Sequence, residues 1–288
     1  MNADRKDAVV PVEGGAGAHG AGIAMGDRPE VMQPDPSLSA TVEDTREKLR
    51  LVMGEEGVER LAGAHVAVLG LGGVGSNCVE ALARGGVGGL FLVDRDIVQP
   101  SNVNRQAIAF FSTVGRRKID VMRGMVADIN PAAHVETRHM LVLRENIREL
   151  LEQARAWAAA DGGALDYVVD AIDTVSTKLA LAEMAQEGGV RLISSMGAAN
   201  KLHPECLRIA DLYDTVNCPL CRIMRKEGRK RGIRGLRVLY SCEQPVKVAT
   251  REGAQRSERS NLGTASFMPP IMGQMIAGAV IREIAGVE

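Results

Sequence analysis

The chain has 288 residues, 45% hydrophobic and 25% charged, with a formal net charge of -1. That is the profile of a globular protein with enough length for one large domain or two small ones. The near-neutral charge excludes bulk electrostatics as a source of partner preference, and an aromatic share of 3% excludes extensive base stacking. Five cysteines and no secretory pattern at the N-terminus fit a reducing cytoplasm, not a disulfide framework.

Residues 1 to about 40 are rich in Gly, Ala and Pro and lack any period. They are expected to form a disordered tail before a domain spanning 41–288. HVAVLG (65–70) is a short apolar run stopped by glycines, the signature of a buried parallel strand. SNCVEALARGGVG follows with helical spacing, then LFLVD (90–94) as a strand and GRRKIDVMRGMVADIN (115–130) as a helix closed by Pro131. HVETRHM alternates like a strand, and RENIRELLEQARAWAA is helical. DYVVDAID (166–173) is a strand, VSTKLALAEMAQEG a helix, and RLISSMG (191–197) a strand. Five strands alternating with helices predict an α/β fold with a doubly wound, mainly parallel Rossmann-like sheet.

Beyond Gly197 the pattern loosens into a C-terminal extension. ECLRIADL and LRVLYS read as strands, PLCRIMRKEGRKRG as a helix, and residues 249–263 as a polar loop. The last apolar stretch, FMPPIMGQMIAGAVIREIAG, is interrupted by Gln274, Arg282 and Glu283. A membrane span needs about 20 uninterrupted apolar residues, so a buried helix from about Pro270 to Ile284 is expected, and no membrane association.

GLGGVGSN (70–77) follows a strand and opens a helix, the context that a phosphate-binding glycine turn requires. Gly70 permits the turn, Gly72 and Gly73 let backbone approach a phosphate, and Gly75 lets the helix pack on its strand. The helix start then offers unpaired N–H groups to an anion. Asp94 ends the second strand, where an acid binds a ribose hydroxyl. A nicotinamide enzyme would share all of this. The stretch VDRDIVQPSNVNRQ departs from that reading, because it crowds Asp96, Asn104, Arg105 and Gln106 just past the ribose position. Arg105 can make paired bonds to phosphate oxygens. Asn104 and Gln106 can orient ribose or phosphate, and Asp96 could hold Mg²⁺ through carboxylate oxygen. Lys118 and Asp173 complete a set suited to phosphoryl chemistry.

The run GLGGVGS…VDRDIVQPSNVNRQ…K…VDAID resembles the adenylation domain of the ubiquitin-activating-like superfamily, which includes the sulfur-carrier adenylyltransferases. The resemblance covers about Leu51 to Gly197. Within that superfamily the chain is most similar to the tRNA threonylcarbamoyladenosine dehydratases, through MGEEGVERLAGAHVAVLG, SMGAANKLHPECLRIADL, RIMRKEGRKRGI and VLYSCEQP. The resemblance implies an ATP-dependent, ligase-type enzyme that adenylates the side-chain carboxylate on a tRNA adenosine beside the anticodon. The side chain then cyclises with loss of AMP. It implies nucleotide roles for Gly72, Asp94, Asn104, Arg105, Lys118 and Asp173. It also implies a homodimer in which Arg50 or Arg46 reaches the partner subunit's ATP, and it raises a sulfur-transfer protein as a further partner.

Cys218 and Cys221 flank Pro219-Leu220. The pair is open to three readings: half of a zinc site, buried thiols, or a redox or sulfur-relay pair. A helix start at Cys218 would stabilise its thiolate. Residues 222–237 hold eight Lys or Arg and one Glu, a local charge of +7 that leaves about -8 on the rest of the chain. That asymmetry points to a polyanion, and tRNA is the expected one. The competing readings are adenylation of a small carrier protein's C-terminus, a non-catalytic ATP-binding regulator, and a nicotinamide oxidoreductase.

Overall fold

The structure, a computed structural model, describes residues 41–246 and 262–287. The expected tail and most of the expected loop at 249–263 lie outside the described residues. The parallel strands are β1 (His65–Leu69), β2 (Gly89–Val93), β3 (His134–Arg138), β4 (Leu165–Asp170), β5 (Leu192–Ser195) and β7 (Arg237–Ser241), with β6 (Leu207–Asp211) as the antiparallel member. Their order across the sheet is β3-β2-β1-β4-β5-β7-β6. The doubly wound parallel sheet is therefore as expected. The extension adds β7 beside β5 and folds β6 back along β7.

Burial explains the apolar runs. In β1, Val66 and Val68 pack into one core, while Ala67 and Leu69 pack into the core on the opposite face. Leu90 and Leu92 of β2 face the first core, and Phe91 and Val93 the second. A strand covered on both faces has no reason to alternate with polar residues. β3 lies at the sheet edge and is only partly buried, so HVETR does alternate.

The first core is closed by α2 (Gly73–Arg84), α3 (Lys118–Ile129) and α7 (Met268–Ala285). The second is closed by α4 (Ile147–Ala160) and α5 (Val175–Gly188). α7 is buried along much of its length through Met272, Ile276 and Val280. At Gly273 it lies so close to α2 that a Cβ would strike the Val74 carbonyl oxygen. Among the described residues no helix is long and apolar enough to cross a membrane.

Several bounds differ from expectation, and one helix was not expected. β4 stops at Asp170, leaving 171–173 as a loop, and α3 begins at Lys118, not 115. An unexpected helix, α1 (Val42–Ala62), precedes β1. It starts on a capping box in which Thr41 Oγ1 accepts from Asp44 N–H and Asp44 accepts from Thr41 N–H. Gly54, at φ 73°, breaks it into two segments. Only Gly57, Val58 and Leu61 are buried, so little apolar period betrays it.

A charged network lies deep in this fold. Lys178 of α5 is 2% exposed, and its Nζ donates to Asp170 Oδ2 at 3.0 Å, Ser195 O at 2.8 Å and Ser194 Oγ at 3.3 Å. Asp170 Oδ1 accepts from Ile172 N–H at 3.1 Å, so the network also shapes the loop after β4. Removing one member of a buried pair leaves the other uncompensated, at a cost of about 3–5 kcal/mol. Lys178→Met should lower stability by that order in urea unfolding. A loss under about 1 kcal/mol would contradict a buried ion pair here.

Candidate active site

The strand order reverses between β1 and β4, and ligands of open α/β sheets bind beyond the carboxyl ends of strands at such a point. A cleft of about 930 Å³ opens there. Gly70, Gly72 and Gly73 line it after β1, Asp94 and Asp96 after β2, and Asp173 after β4.

The glycine turn is dictated by space. Gly70 has φ 95°, and a Cβ on it would lie 2.8 Å from the Ala171 carbonyl oxygen. A Cβ on Gly75 would overlap the Gly70 carbonyl oxygen. Gly72 caps α2, and a Cβ there would meet nothing. The room it leaves adjoins the first turn of α2, whose amides have no intrahelical acceptors.

Asp94 is 9% exposed. Its Oδ2 accepts from Leu71 N–H and its Oδ1 from Asp96 N–H, both at 2.7 Å. It therefore ties the glycine turn to the end of β2. A carboxylate has about four acceptor positions, so it retains capacity for a ribose hydroxyl.

Lys118 is buried at the first position of α3, where a helix favours negative charge over positive. Asp96 offsets that placement, accepting from Lys118 Nζ at 2.9 Å. This bond engages one oxygen of the carboxylate expected to hold Mg²⁺.

The SNVNRQ segment is held by α2. Asn77 Nδ2 donates to Arg105 O at 3.1 Å, and Ser76 Oγ accepts from Ala107 N–H at 3.1 Å. Arg105 lines the cleft, and its Nη1 donates to Ser101 O at 2.9 Å and Asn104 Oδ1 at 2.8 Å. Its side chain lies against Gly73, where a Cβ would sit 3.3 Å from Arg105 Cγ. Asn104 is exposed and does not line the cleft; it donates to Thr264 O at 3.3 Å and so links Arg105 to the segment before α7. Gln106 is 7% exposed and lines the cleft, and its Oε1 has no hydrogen-bond partner among the described residues. Such a group suits a ligand donor. Thr174 Oγ1 donates to Asp173 Oδ1 at 3.1 Å.

Sequence reasoning missed several lining residues, including Lys178, Ser195, Lys201, Thr264 and Pro269. α6 (Pro219–Lys230) supplies another wall through Cys218, Leu220 and Ile223. Cys218 and Cys221 do share the start of this helix. Among the described residues no group of three or more His, Cys, Asp or Glu is placed to hold a metal ion, so the zinc reading finds no further ligands there.

The basic run is not one helical face. α6 ends at Lys230, a turn follows through Gly232 at φ 70°, and Arg237 starts β7. Arg225 donates to Thr215 O, Lys230 pairs with Glu227, Arg231 with Glu183 and Arg237 with Glu283. Arg229 sits over the Tyr213 ring. Arg222, Lys226 and Arg234 are exposed and form no salt bridge among the described residues. Arg46 and Arg50 do not line the cleft of their own chain; both pair with Glu43, and Arg50 also with Glu55.

Known proteins share this fold. The tRNA threonylcarbamoyladenosine dehydratase of Bacillus subtilis is 39% identical over 243 residues, spanning 81% of this chain and 92% of that protein. The crystal structure of E. coli tRNA N6-threonylcarbamoyladenosine dehydratase, TcdA, in complex with ATP superposes with a TM-score of 0.71 at 28% identity, over 85% of this chain and 93% of that one. The same E. coli protein in complex with AMP gives a TM-score of 0.72 at 27% identity, over 86% of this chain and 98% of that one. Residues 45–288 match the ThiF family, a span that includes the glycine turn, the arginine segment and α7, and the chain belongs to that family.

Proposed function

We propose that this protein is an ATP-dependent enzyme that dehydrates and cyclises the threonylcarbamoyl side chain of a tRNA adenosine beside the anticodon. The observation that carries the reading is the cleft at the sheet's reversal, which Arg105, Lys118 and Asp173 line together with Gly72 and Gly73 at the start of α2. The dehydratases from B. subtilis and E. coli, the latter in complex with ATP or AMP, support it.

The substrate carboxylate attacks the α-phosphorus of ATP, and the bond to pyrophosphate breaks. The product is an acyl-adenylate. A nucleophile within the same side chain then attacks the acyl carbon, and AMP leaves with one former carboxylate oxygen. Because that nucleophile is already in the substrate, holding it close replaces a bimolecular encounter. Asp94 and Gln106 bind the nucleoside end. Arg105 and Lys118 stabilise charge as it builds on the α-phosphate, the main contribution such a site can make. Asn104 keeps Arg105 aimed at the cleft. Mg²⁺ takes one or two carboxylates together with phosphate oxygens. Asp96 and Asp173 both open on the cleft and fit that donor set, and the ion would neutralise the departing pyrophosphate.

The discriminating assay supplies ATP with a threonylcarbamoyladenosine-bearing tRNA, with a carrier protein, or with NAD. AMP formation tied to loss of water from the tRNA nucleoside is expected. AMP formation with the carrier protein alone would replace this reading.

In the same assay Arg105→Ala and Asp173→Ala should each lower AMP formation by about 10²-fold or more, with circular dichroism unchanged. Near-normal turnover in both would mean that the chemistry lies elsewhere.

The exposed cations of α6 and its following turn would bind tRNA phosphates. Arg222→Glu, Lys226→Glu and Arg234→Glu together should weaken tRNA binding and flatten its salt dependence by about one unit of slope per lost contact. ATP affinity should be unchanged. An unaltered salt slope would make this surface a solvated face only.

The active form is proposed as a homodimer working in the cytoplasm. Leu51 and Val52 of α1 are 76% and 69% exposed, and Phe110 and Phe111 are 56% and 72% exposed. Apolar surface of this kind suits burial against a second copy, which would also give Arg46 or Arg50 a nucleotide to reach. Sedimentation at micromolar protein should show a dimer; a clean monomer would remove the idea.

A further inference from the structure

One thiol, Cys218, lines the cleft, a second, Cys221, is buried one helical turn further along, and the adenylation chemistry has no use for either. Cys218 is the N-cap of α6, and its Sγ accepts from Cys221 N–H at 3.4 Å. Cys218 and Cys221 also share one buried apolar cluster with Leu212, Met224 and Val238. The two differ in exposure. Cys218, 5% exposed, also lines the cleft with Leu220 and Ile223 of the same helix, whereas Cys221 is fully buried. Lys201, itself 3% exposed, lines the cleft as well.

This asymmetry divides the chemistry between the two sulfurs. The Cys221 side chain, the backbone N–H groups of Cys221 and Leu220, and the charge of Lys201 lower the Cys218 pKa below the ordinary thiol value. The neighbouring Cys218 side chain and burial push Cys221 the other way. A pair of this kind at a helix start has one attacking and one resolving sulfur. Cys206 and Cys242 are also neighbours, Cys242 N–H donating to Cys206 O at 3.0 Å, but neither caps a helix start as Cys218 does. Burial raises the pKa of Cys78, and burial with neighbouring Cys242 raises that of Cys206. Cys206 and Cys242 do not line the cleft.

We propose that Cys218 and Cys221 form a reversible dithiol–disulfide site that small oxidants reach through the nucleotide cleft. With a peroxide, the Cys218 thiolate attacks one oxygen, the O–O bond breaks, and a sulfenic acid forms as the second oxygen leaves as water. The Cys221 sulfur then attacks Cys218 Sγ, the S–O bond breaks, and a second water departs. The two sulfurs lose two electrons and the peroxide gains them. A dithiol reductant restores both thiols by exchange. Oxidation removes the thiolate from beside Lys201 and fixes the first turn of α6, which forms one wall of the cleft.

The site rests on the proposed function only in taking ATP as the occupant of the cleft, and the test separates the two. The full-length protein is treated with hydrogen peroxide, alkylated and digested with trypsin. The peptide 209–222 contains Cys218 and Cys221 and no other cysteine. It should escape alkylation, lose the mass of two hydrogens and recover on reduction, while Cys206 and Cys242 remain alkylated. With Cys221→Ser, Cys218 should stop at a sulfenic acid trapped by a cyclic dione. A Cys218 that goes to sulfinic acid in the native protein, or oxidation confined to Cys206 and Cys242, overturns the disulfide whether or not ATP binds. A parallel titration measures ATP affinity. If ATP binds, saturating nucleotide should slow disulfide formation severalfold, and the oxidised protein should form AMP more slowly until reduced. Oxidation at an unchanged rate with ATP bound, or a disulfide that leaves AMP formation untouched, overturns the link to the cleft and leaves the function standing.

Discussion

The site depends on one close approach of backbone to backbone. The chain leaves β1 at Gly70, passes the loop after β4 and turns into α2 within a few residues. Neither Gly70 nor Gly75 has room for a side chain there. That contact places the first turn of α2 at the carboxyl edge of the sheet, where its free amides can meet phosphate. A side chain at either position would push α2 outward and dissolve the anion site before any charged residue was touched.

Two further layers are fixed to that turn. Asp94 bonds Leu71 N–H and Asp96 N–H, which joins the glycine turn to the end of β2. Ser76 and Asn77, next along α2, hold the segment bearing Arg105. From the far end of the chain, Thr264 accepts from Asn104 and Pro269 packs beside Gly73. The cation is thus positioned by three separate parts of the sequence. The arrangement is preorganised, which is what electrostatic stabilisation of a phosphoryl transition state requires.

The parallel sheet and its helices were legible because buried strands and amphipathic helices leave opposite periods in the sequence. The glycine turn and SNVNRQ were legible because their residue types serve a chemistry at close spacing. Other features left weaker traces. α1 hides because few of its residues are buried. Lys178 reads as an ordinary helix lysine, and only the tertiary fold shows that it meets Asp170 and Ser194. Asn104 read as a ligand-orienting amide, yet it bonds the arginine beside it. The basic run looked uniform, but ion pairs with residues as distant as Glu183 and Glu283 occupy several of its members. Residue type and spacing reveal a site's chemistry; which charges remain available is decided by partners far along the chain.

The central claim is that a carboxylate is joined to AMP and then released by attack at its acyl carbon. The most direct measurement follows the oxygen. A tRNA substrate whose threonylcarbamoyl carboxylate carries heavy oxygen is turned over with ATP, and the phosphate products are weighed. The account predicts one heavy oxygen in AMP, because the bridging oxygen remains on phosphorus when the acyl bond breaks. Heavy oxygen in inorganic phosphate with ADP as co-product, or unlabelled AMP beside a cyclised nucleoside, would contradict it.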